Sequence, residues 1–295
     1  MEGAPIITVG IPVYNEELYL VSSIDSVLNQ SLKNFELIIS DNCSTDASYE
    51  IAKTYALKDT RVKAYRHEQN MGIPFNFKFP LLKASTKYFV WLGAHDLFTP
   101  EYLKTTIDYL EKNDSVSMVY SNADWIDSQG NFMYKLEEDI QTVGLSRRNA
   151  LLKIINNTDS GIAVHSVFRT SILQQISYSM EEGDMLLCFI MATYGDIAKL
   201  NITGLLFRLI RTETVKERLK RYEEIKIIKS SILNLTLITI KKYLDYIVKN
   251  NGLNIREKLL VSISVIRKFT INLTWLAYKR YINKSNIRTA KQSHN

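Results

Sequence analysis

Between Ile6 and Lys112 the chain repeats one pattern four times: a short apolar run, a polar cluster, then apolar residues at helical spacing. The first run, Ile6 to Val13, carries Pro12 near its end and is followed by Asn15-Glu16-Glu17. Leu20, Ile24, Val27 and Leu28 then recur as the buried stripe of a helix does. Phe35 to Ser40 ends at Asp41-Asn42-Cys43-Ser44-Thr45-Asp46, where Ser44 or Thr45 is placed to cap a helix over Ala47 to Lys58. Val62 to His67 ends at Gln69-Asn70-Met71-Gly72, ahead of a helix over Phe75 to Ala84. Tyr88 to Leu92 ends at Gly93-Ala94-His95-Asp96, ahead of a helix between Pro100 and Lys112. Short strands alternating with helices predict parallel β-α-β units with right-handed crossovers. Parallel strands bring their carboxyl ends to one edge, so the four polar clusters are expected to line a crevice there rather than to be solvated turns.

Further on, Ser117 to Ser121 reads as a strand. Asn122 to Asn131, with Asp124, Asp127 and the Gln129-Gly130 turn, reads as a hairpin or insertion, and Ile162 to Arg169 is another apolar run. Ser171 to Gln175 and Met185 to Tyr194 have helical spacing, and Asp196 to Leu200 with Ile202 to Leu206 is expected to form a closing pair of strands. From residue 213 the character changes: Ile225, Ile228, Ile232, Leu235, Ile240, Tyr243, Leu244 and Ile247 fall at helical spacing. Asn251-Gly252 breaks that helix, and a second is predicted over about Ile255 to Tyr281. The expected architecture is α/β, a mostly parallel, Rossmann-like sheet flanked by helices over residues 1–210, with a helical extension over 211–295.

Charge divides at the same boundary. Residues 1–210 hold 18 Lys+Arg against 25 Asp+Glu, a net of −7, whereas residues 211–295 hold 19 against 6, a net of +13. An acidic body with a basic tail suggests a binding or catalytic domain followed by a segment that faces something anionic. The tail has three readings. It lies on an anionic bilayer with Trp275, Tyr278 and Tyr281 at the interface, it packs or dimerises, or it binds nucleic acid. No RNA- or DNA-binding motif accompanies it, so nucleic acid is not expected. Two distant cysteines, Cys43 and Cys188, fit a reducing compartment and neither a disulfide scaffold nor a zinc site. No signal peptide is expected, and no run of about 18 uncharged apolar residues is present to span a membrane. The expected location is cytoplasmic, with peripheral attachment to the inner face of the cell membrane.

Pro12-Val13-Tyr14-Asn15-Glu16, the stretch Glu36 to Asp46 and Asn70-Met71-Gly72 closely resemble motifs of the family 2 glycosyltransferases of GT-A fold. The resemblance covers roughly residues 5–208. It implies inverting transfer of a sugar from a nucleoside diphosphate sugar, UDP-linked in the expected case. The acceptor would be a hydroxyl of a glycan or lipid-linked molecule in cell-surface polysaccharide assembly, and the usual cofactor is Mg2+ or Mn2+. A uracil ring offers an N–H donor, and the resemblance makes Asp41 its acceptor; a helix cap is the other use of an Asp there. Pro12, Val13 and Tyr14 would line the loop under the base. Glu16 would contact the ribose side, unless Asn15 and Glu16 cap the next helix. Asn70 and Gly72 would allow close backbone approach, since Gly accepts φ > 0. Ala94 and His95 complete the expected nucleotide contacts.

The metal position departs from the family. Relatives usually carry Asp-x-Asp or Asp-Ala-Asp-Asp where this chain has Gly93-Ala94-His95-Asp96, so two carboxylates are missing. Asp96 with diphosphate oxygens is the expected holder of Mg2+, and His95 suits Mn2+ better. Alternatively His95 neutralises diphosphate charge without metal. The acceptor's general base is expected in Met180-Glu181-Glu182-Gly183-Asp184-Met185, with Asp184 first and Glu181 and Glu182 as substitutes. His165 is expected on the acceptor side or as a satisfied core histidine. Two rivals remain at this stage. A nucleotidyltransferase would want a Gly-rich basic loop after the first strand, where Tyr14-Asn15-Glu16-Glu17 is acidic and Gly-free. A non-catalytic nucleotide-sugar-binding module is kept open by the eroded metal motif.

Overall fold

The computed structural model describes residues 3–157, 162–176, 184–210 and 232–270. Its first four strands, β1 (Ile7–Val13), β2 (Phe35–Asp41), β3 (Val62–Arg66) and β4 (Tyr88–Trp91), pair in the order β3-β2-β1-β4, all parallel. Every residue of β1 and β2 is buried, which explains why they read as apolar runs rather than alternating ones. Helices α1 (Leu20–Leu28), α2 (Ser48–Lys58), α3 (Ile73–Lys83) and α4 (Tyr102–Lys112) follow these strands in turn. At Gly10 the absent side chain matters: a Cβ there would stand 2.7 Å from Pro80 Cβ, so the glycine lets α3 lie close to the sheet.

Beyond β4 the sheet becomes mixed. It continues β4-β8-β6-β9-β5, with β7 on the far part of β6. The strands are β5 (Leu97–Phe98), β6 (Val116–Ile126), β7 (Phe132–Leu136), β8 (Val167–Arg169) and β9 (Asp196–Arg208). Three details differ from the sequence reading. β6 runs on through Asn122 and Asp124, so the expected hairpin is the β6–β7 pair and its turn is confined to Asp127–Asn131. The expected closing pair of strands is one strand, β9, because β6 is long enough to pair with it from Asp196 to Arg208, with shifts of register around Ser121–Ala123. β5 was not anticipated, since two residues leave no periodicity.

Two buried clusters lie on the two faces of the sheet. One joins Ile7, Val9, Ile11 and Val13 to residues of α1, α2 and α4. The other joins Phe89, Trp91, Met118 and Tyr120 to α3, α5 (Arg147–Asn157), α6 (Thr170–Gln175) and α7 (Asp184–Tyr194). Leu186 to Ala192 are all fully buried, as a helix covered on every side must be. The cover comes from the helices Ile232–Lys249 and 255–270, whose Tyr243, Ile247, Val261 and Val265 join the same cluster. Tyr243 meets Phe189 edge-on at 4.7 Å. The described part of the basic tail is thus part of the second core. Ile225, Ile228, Trp275, Tyr278, Tyr281, Glu181 and Glu182 lie outside the described residues.

Chain order positions the site. The chain steps from β1 outward to β2 and β3, then returns to place β4 on the other side of β1. Where the direction of winding reverses, the connecting loops part, and the crevice opens between the carboxyl ends of β1 and β4.

Candidate active site

The loops leaving β1 and β2 are tied to each other. Asn15 and Cys43 both hold left-handed backbone, at φ 56° and 64°. Such non-glycine conformations are costly and persist where the surroundings fix them. Here they are fixed by hydrogen bonds: Asn15 N–H to Ser44 Oγ (3.0 Å), Thr45 N–H to Asn15 Oδ1 (2.9 Å) and Glu16 N–H to Ser48 Oγ (2.8 Å). Asn15 therefore stitches two loops.

Asp41 ends β2 in register with Val13 and is fully buried. Its Oδ2 accepts the Ser44 N–H at 3.1 Å and lies 3.7 Å from Arg66 Nε. Its Oδ1 is buried and has no hydrogen-bond partner among the described residues. Pro12 and Val13 are buried, and the Val13 carbonyl accepts from Asn42 N–H and Asn76 Nδ2. Tyr14, which follows them, is 44% exposed. On the next loop Asn70 Oδ1 accepts from Asn42 Nδ2 (2.8 Å) and from Gly72 N–H (2.9 Å). Asn70 shapes the turn with its side chain, and Gly72, at φ 85°, supplies the left-handed step into α3.

Across the switch point, His95 Nδ1 lies 3.2 Å from Glu16 Oε1. A carboxylate only accepts, so Nδ1 carries the proton and donates to it. Ala94 is buried beneath. Asp96 is also buried, at 1% exposure. Its Oδ1 accepts the Arg208 N–H at 2.9 Å, and its Oδ2 lies 3.7 Å from His165 Nε2 and against Gly93. His165 donates through Nδ1 to the Trp91 carbonyl at 3.1 Å, and burial holds its pKa below the usual histidine value despite the Asp96 charge. It is thus a neutral core histidine at neutral pH.

Arg208, which the sequence reading missed, ties these parts together. Its Nε donates to the His95 carbonyl at 2.9 Å, Nη1 reaches the Asp127 and Ser128 carbonyls, and the guanidinium lies over the Tyr19 ring at 5.0 Å. The one sequence signal was a buried cation closing an apolar strand, Leu205-Leu206-Phe207-Arg208.

A divalent cation here would have to be held by Asp96 Oδ2, which faces His165 Nε2 at 3.7 Å, together with diphosphate oxygens, because Asp96 Oδ1 accepts the Arg208 N–H and Glu16 and His95 face each other. Among the described residues no group of three or more His, Cys, Asp or Glu stands together as a metal site.

Asp184 is the first residue of α7. Burial, reinforced by the negative charge of Glu138, raises its pKa to about 6. Glu138 is itself buried, a second residue that nothing in the run Glu137-Glu138-Asp139 singled out.

Parallel β-α-β units that converge on a switch-point crevice, with a buried acceptor at one side and an imidazole–carboxylate pair across it, define an α/β fold of nucleotide-binding type. The chain belongs to glycosyl transferase family 2, whose model matches residues 8–177. It is 33% identical over 168 residues to a glycosyltransferase of Haemophilus influenzae, covering 57% of this chain and 64% of that protein. It is 32% identical over 137 residues to a Methanocaldococcus jannaschii glycosyltransferase, covering 46% and 47%. With glycosyltransferase GlyG of Streptococcus pneumoniae it shares 26% over 129 residues, covering 44% and 43%. The chain thus spans less than two thirds of each of these relatives. Among solved structures it resembles S. aureus TarS (residues 1–349) in complex with UDP-GlcNAc, at a TM-score of 0.66 and 15% identity, over 89% of this chain and 72% of that one. The GT-A fold expected from the sequence is the fold observed.

Proposed function

We propose that the chain is an inverting glycosyltransferase that moves a sugar from a UDP-linked donor to a hydroxyl of a glycan or lipid-linked acceptor in cell-surface polysaccharide assembly. The observation that carries this reading is Asp41 Oδ1, a buried oxygen left without a partner at the carboxyl edge of the sheet. An unmet buried acceptor costs on the order of 1–3 kcal/mol, which a ligand N–H recovers. The imide N–H of uracil is a donor of the right kind, and the exposed Tyr14 ring offers a face for the base. That TarS, of the same fold, binds UDP-GlcNAc supports the choice of base.

In this reading Glu16 holds the His95 imidazole beside the donor diphosphate. Asp184 takes the proton from the acceptor hydroxyl as its oxygen attacks the anomeric carbon from the face opposite the diphosphate. The carbon–oxygen bond to the diphosphate breaks, its electron pair leaves with UDP, and the anomeric configuration inverts. A carboxylate with a pKa of about 6 is ionised at neutral pH yet more basic than an ordinary Asp, as a general base needs. The experiment is thermal denaturation with UDP, ADP, GDP and CMP in turn. UDP should raise the melting temperature most. If no nucleotide shifts it, the proposal fails.

A further inference from the structure

The helix over 255–270 has two faces with different fates. Val261 and Val265 point into the second core and are fully buried. Ile255, Leu259, Leu260, Ile263 and Ile266 are exposed by 40% to 88%. At ~100° per residue Ile255, Ile266, Leu259 and Ile263 fall within an arc of about 80°, turned away from the buried valines. Arg256 and Arg267, both exposed, follow along one edge of that arc at about 100–120°, with Leu260 beyond them. The helix has a single acidic residue, Glu257, and it is used in capping: its Oε2 accepts the Asn254 N–H and its own N–H donates to Asn254 Oδ1, both at 3.0 Å. Val248, whose carbonyl accepts from Lys258 Nζ at 2.6 Å, adds a further exposed aliphatic at the neighbouring helix end. By sequence, Lys258 to Asn295 contains eight Lys+Arg and no acidic residue.

We propose that this outer face lies in the surface of an anionic phospholipid bilayer. An aliphatic arc edged by cations and free of acidic groups is the pattern of a helix that rests in the interface plane. Among the described residues no helix is long and apolar enough to cross a membrane, so the contact is one of lying on rather than spanning. Charge selects the occupant: a second copy of the same face would bring like charges together, whereas anionic headgroups complement them. The inference stands apart from the donor and acceptor chemistry.

The test is co-sedimentation of the full chain with phosphatidylcholine vesicles, with and without phosphatidylglycerol. Binding should require phosphatidylglycerol and weaken as salt rises. Leu259→Asp with Ile263→Asp should weaken it by at least about tenfold, since two aliphatic side chains no longer leave water. Both positions are exposed, and the circular dichroism spectrum and melting temperature of the lipid-free variant check its folding. Arg256→Gln with Arg267→Gln should lower binding to phosphatidylglycerol vesicles by a smaller factor. Failure of the full chain to sediment at low salt overturns the proposal, as does undiminished binding by the double-Asp variant. A dimer that the double-Asp variant converts to monomer without vesicles overturns it too, because the face then belongs to a second copy.

Discussion

Asp41 and Asp96 are both buried carboxylates at the carboxyl edge of the parallel half of the sheet, and the fold treats them oppositely. Asp41 has one oxygen on the Ser44 N–H and the other on nothing. Asp96 has one oxygen on the Arg208 N–H and the other 3.7 Å from His165 Nε2 and against Gly93. Burial is common to both; what differs is the anchor, which stays within its own loop for Asp41 and reaches β9 for Asp96. Asp41 is poised for a partner from outside, whereas Asp96 joins β4, β9 and the segment before β8 into one unit.

A third carboxylate sharpens the contrast and carries the largest expected effect. Asp184 is raised to about 6 by burial and by Glu138. Asp184→Asn should lower kcat by roughly 10²–10⁴-fold, with UDP-sugar binding nearly intact. In the unaltered chain kcat should fall as pH drops through about 6, because the base must be ionised to accept a proton. Stability should respond in the other direction. A raised carboxyl pKa stabilises the folded state at low pH, and that contribution is lost as pH rises through the folded value. Above about pH 6 the Asn variant should therefore melt no lower than the parent, and higher if Glu138 repulsion is felt. A variant with unchanged kcat would remove Asp184 from the chemistry.

The next prediction breaks the Asp41–Asp96 comparison directly. Asp41→Ala should weaken UDP binding by about 1.5–3 kcal/mol, the range for a hydrogen bond to a charged group. Each variant leaves a buried N–H unpaired, that of Ser44 or that of Arg208, and should cost about 1–3 kcal/mol of stability, so the two differ in UDP affinity, which Asp96→Ala should change less. Urea unfolding and calorimetric UDP titration of the two variants decide it. If Asp96→Ala leaves stability alone but abolishes metal-stimulated turnover, Asp96 is a metal ligand after all and its present partners are incidental.

The parallel half of this fold was legible because strands buried on both faces leave unbroken apolar runs, and β1 to β4 follow those runs within a residue or two. The polar clusters after them pointed to the crevice for the same reason. The mixed half was less legible. β9 looked like two strands because Asn201 and the neighbouring shift of register interrupt its apolar pattern. β5 was too short to show. At the candidate site, residue types singled out His95, Asp96 and Asp41, but no residue type reveals which oxygen has a partner. Arg208 and Glu138 gained their places through contacts far along the chain, with Arg208 113 positions on from His95. Long-range pairings of that sort leave no local signature.

The smallest expected effect concerns the pair that spans the switch point. Glu16 and His95 meet at 3.2 Å, with side chains 16% and 25% exposed, so their attraction is partly screened. Exposed pairs contribute roughly 0.2–1 kcal/mol, and this one should stand near the upper end. Glu16→Gln keeps an oxygen that can accept from Nδ1–H and should change the donor KM little. Glu16→Ala removes that acceptor and should raise KM by up to about fivefold. A double-mutant cycle with His95→Ala isolates the coupling, provided neither single change disturbs the Asn15–Thr45 stitching beside it. Coupling near 1 kcal/mol in donor binding would mean that the two loops act on the donor as one element. Additive effects would mean that each meets the donor independently, and that the contact in the free protein only fills the space the diphosphate takes.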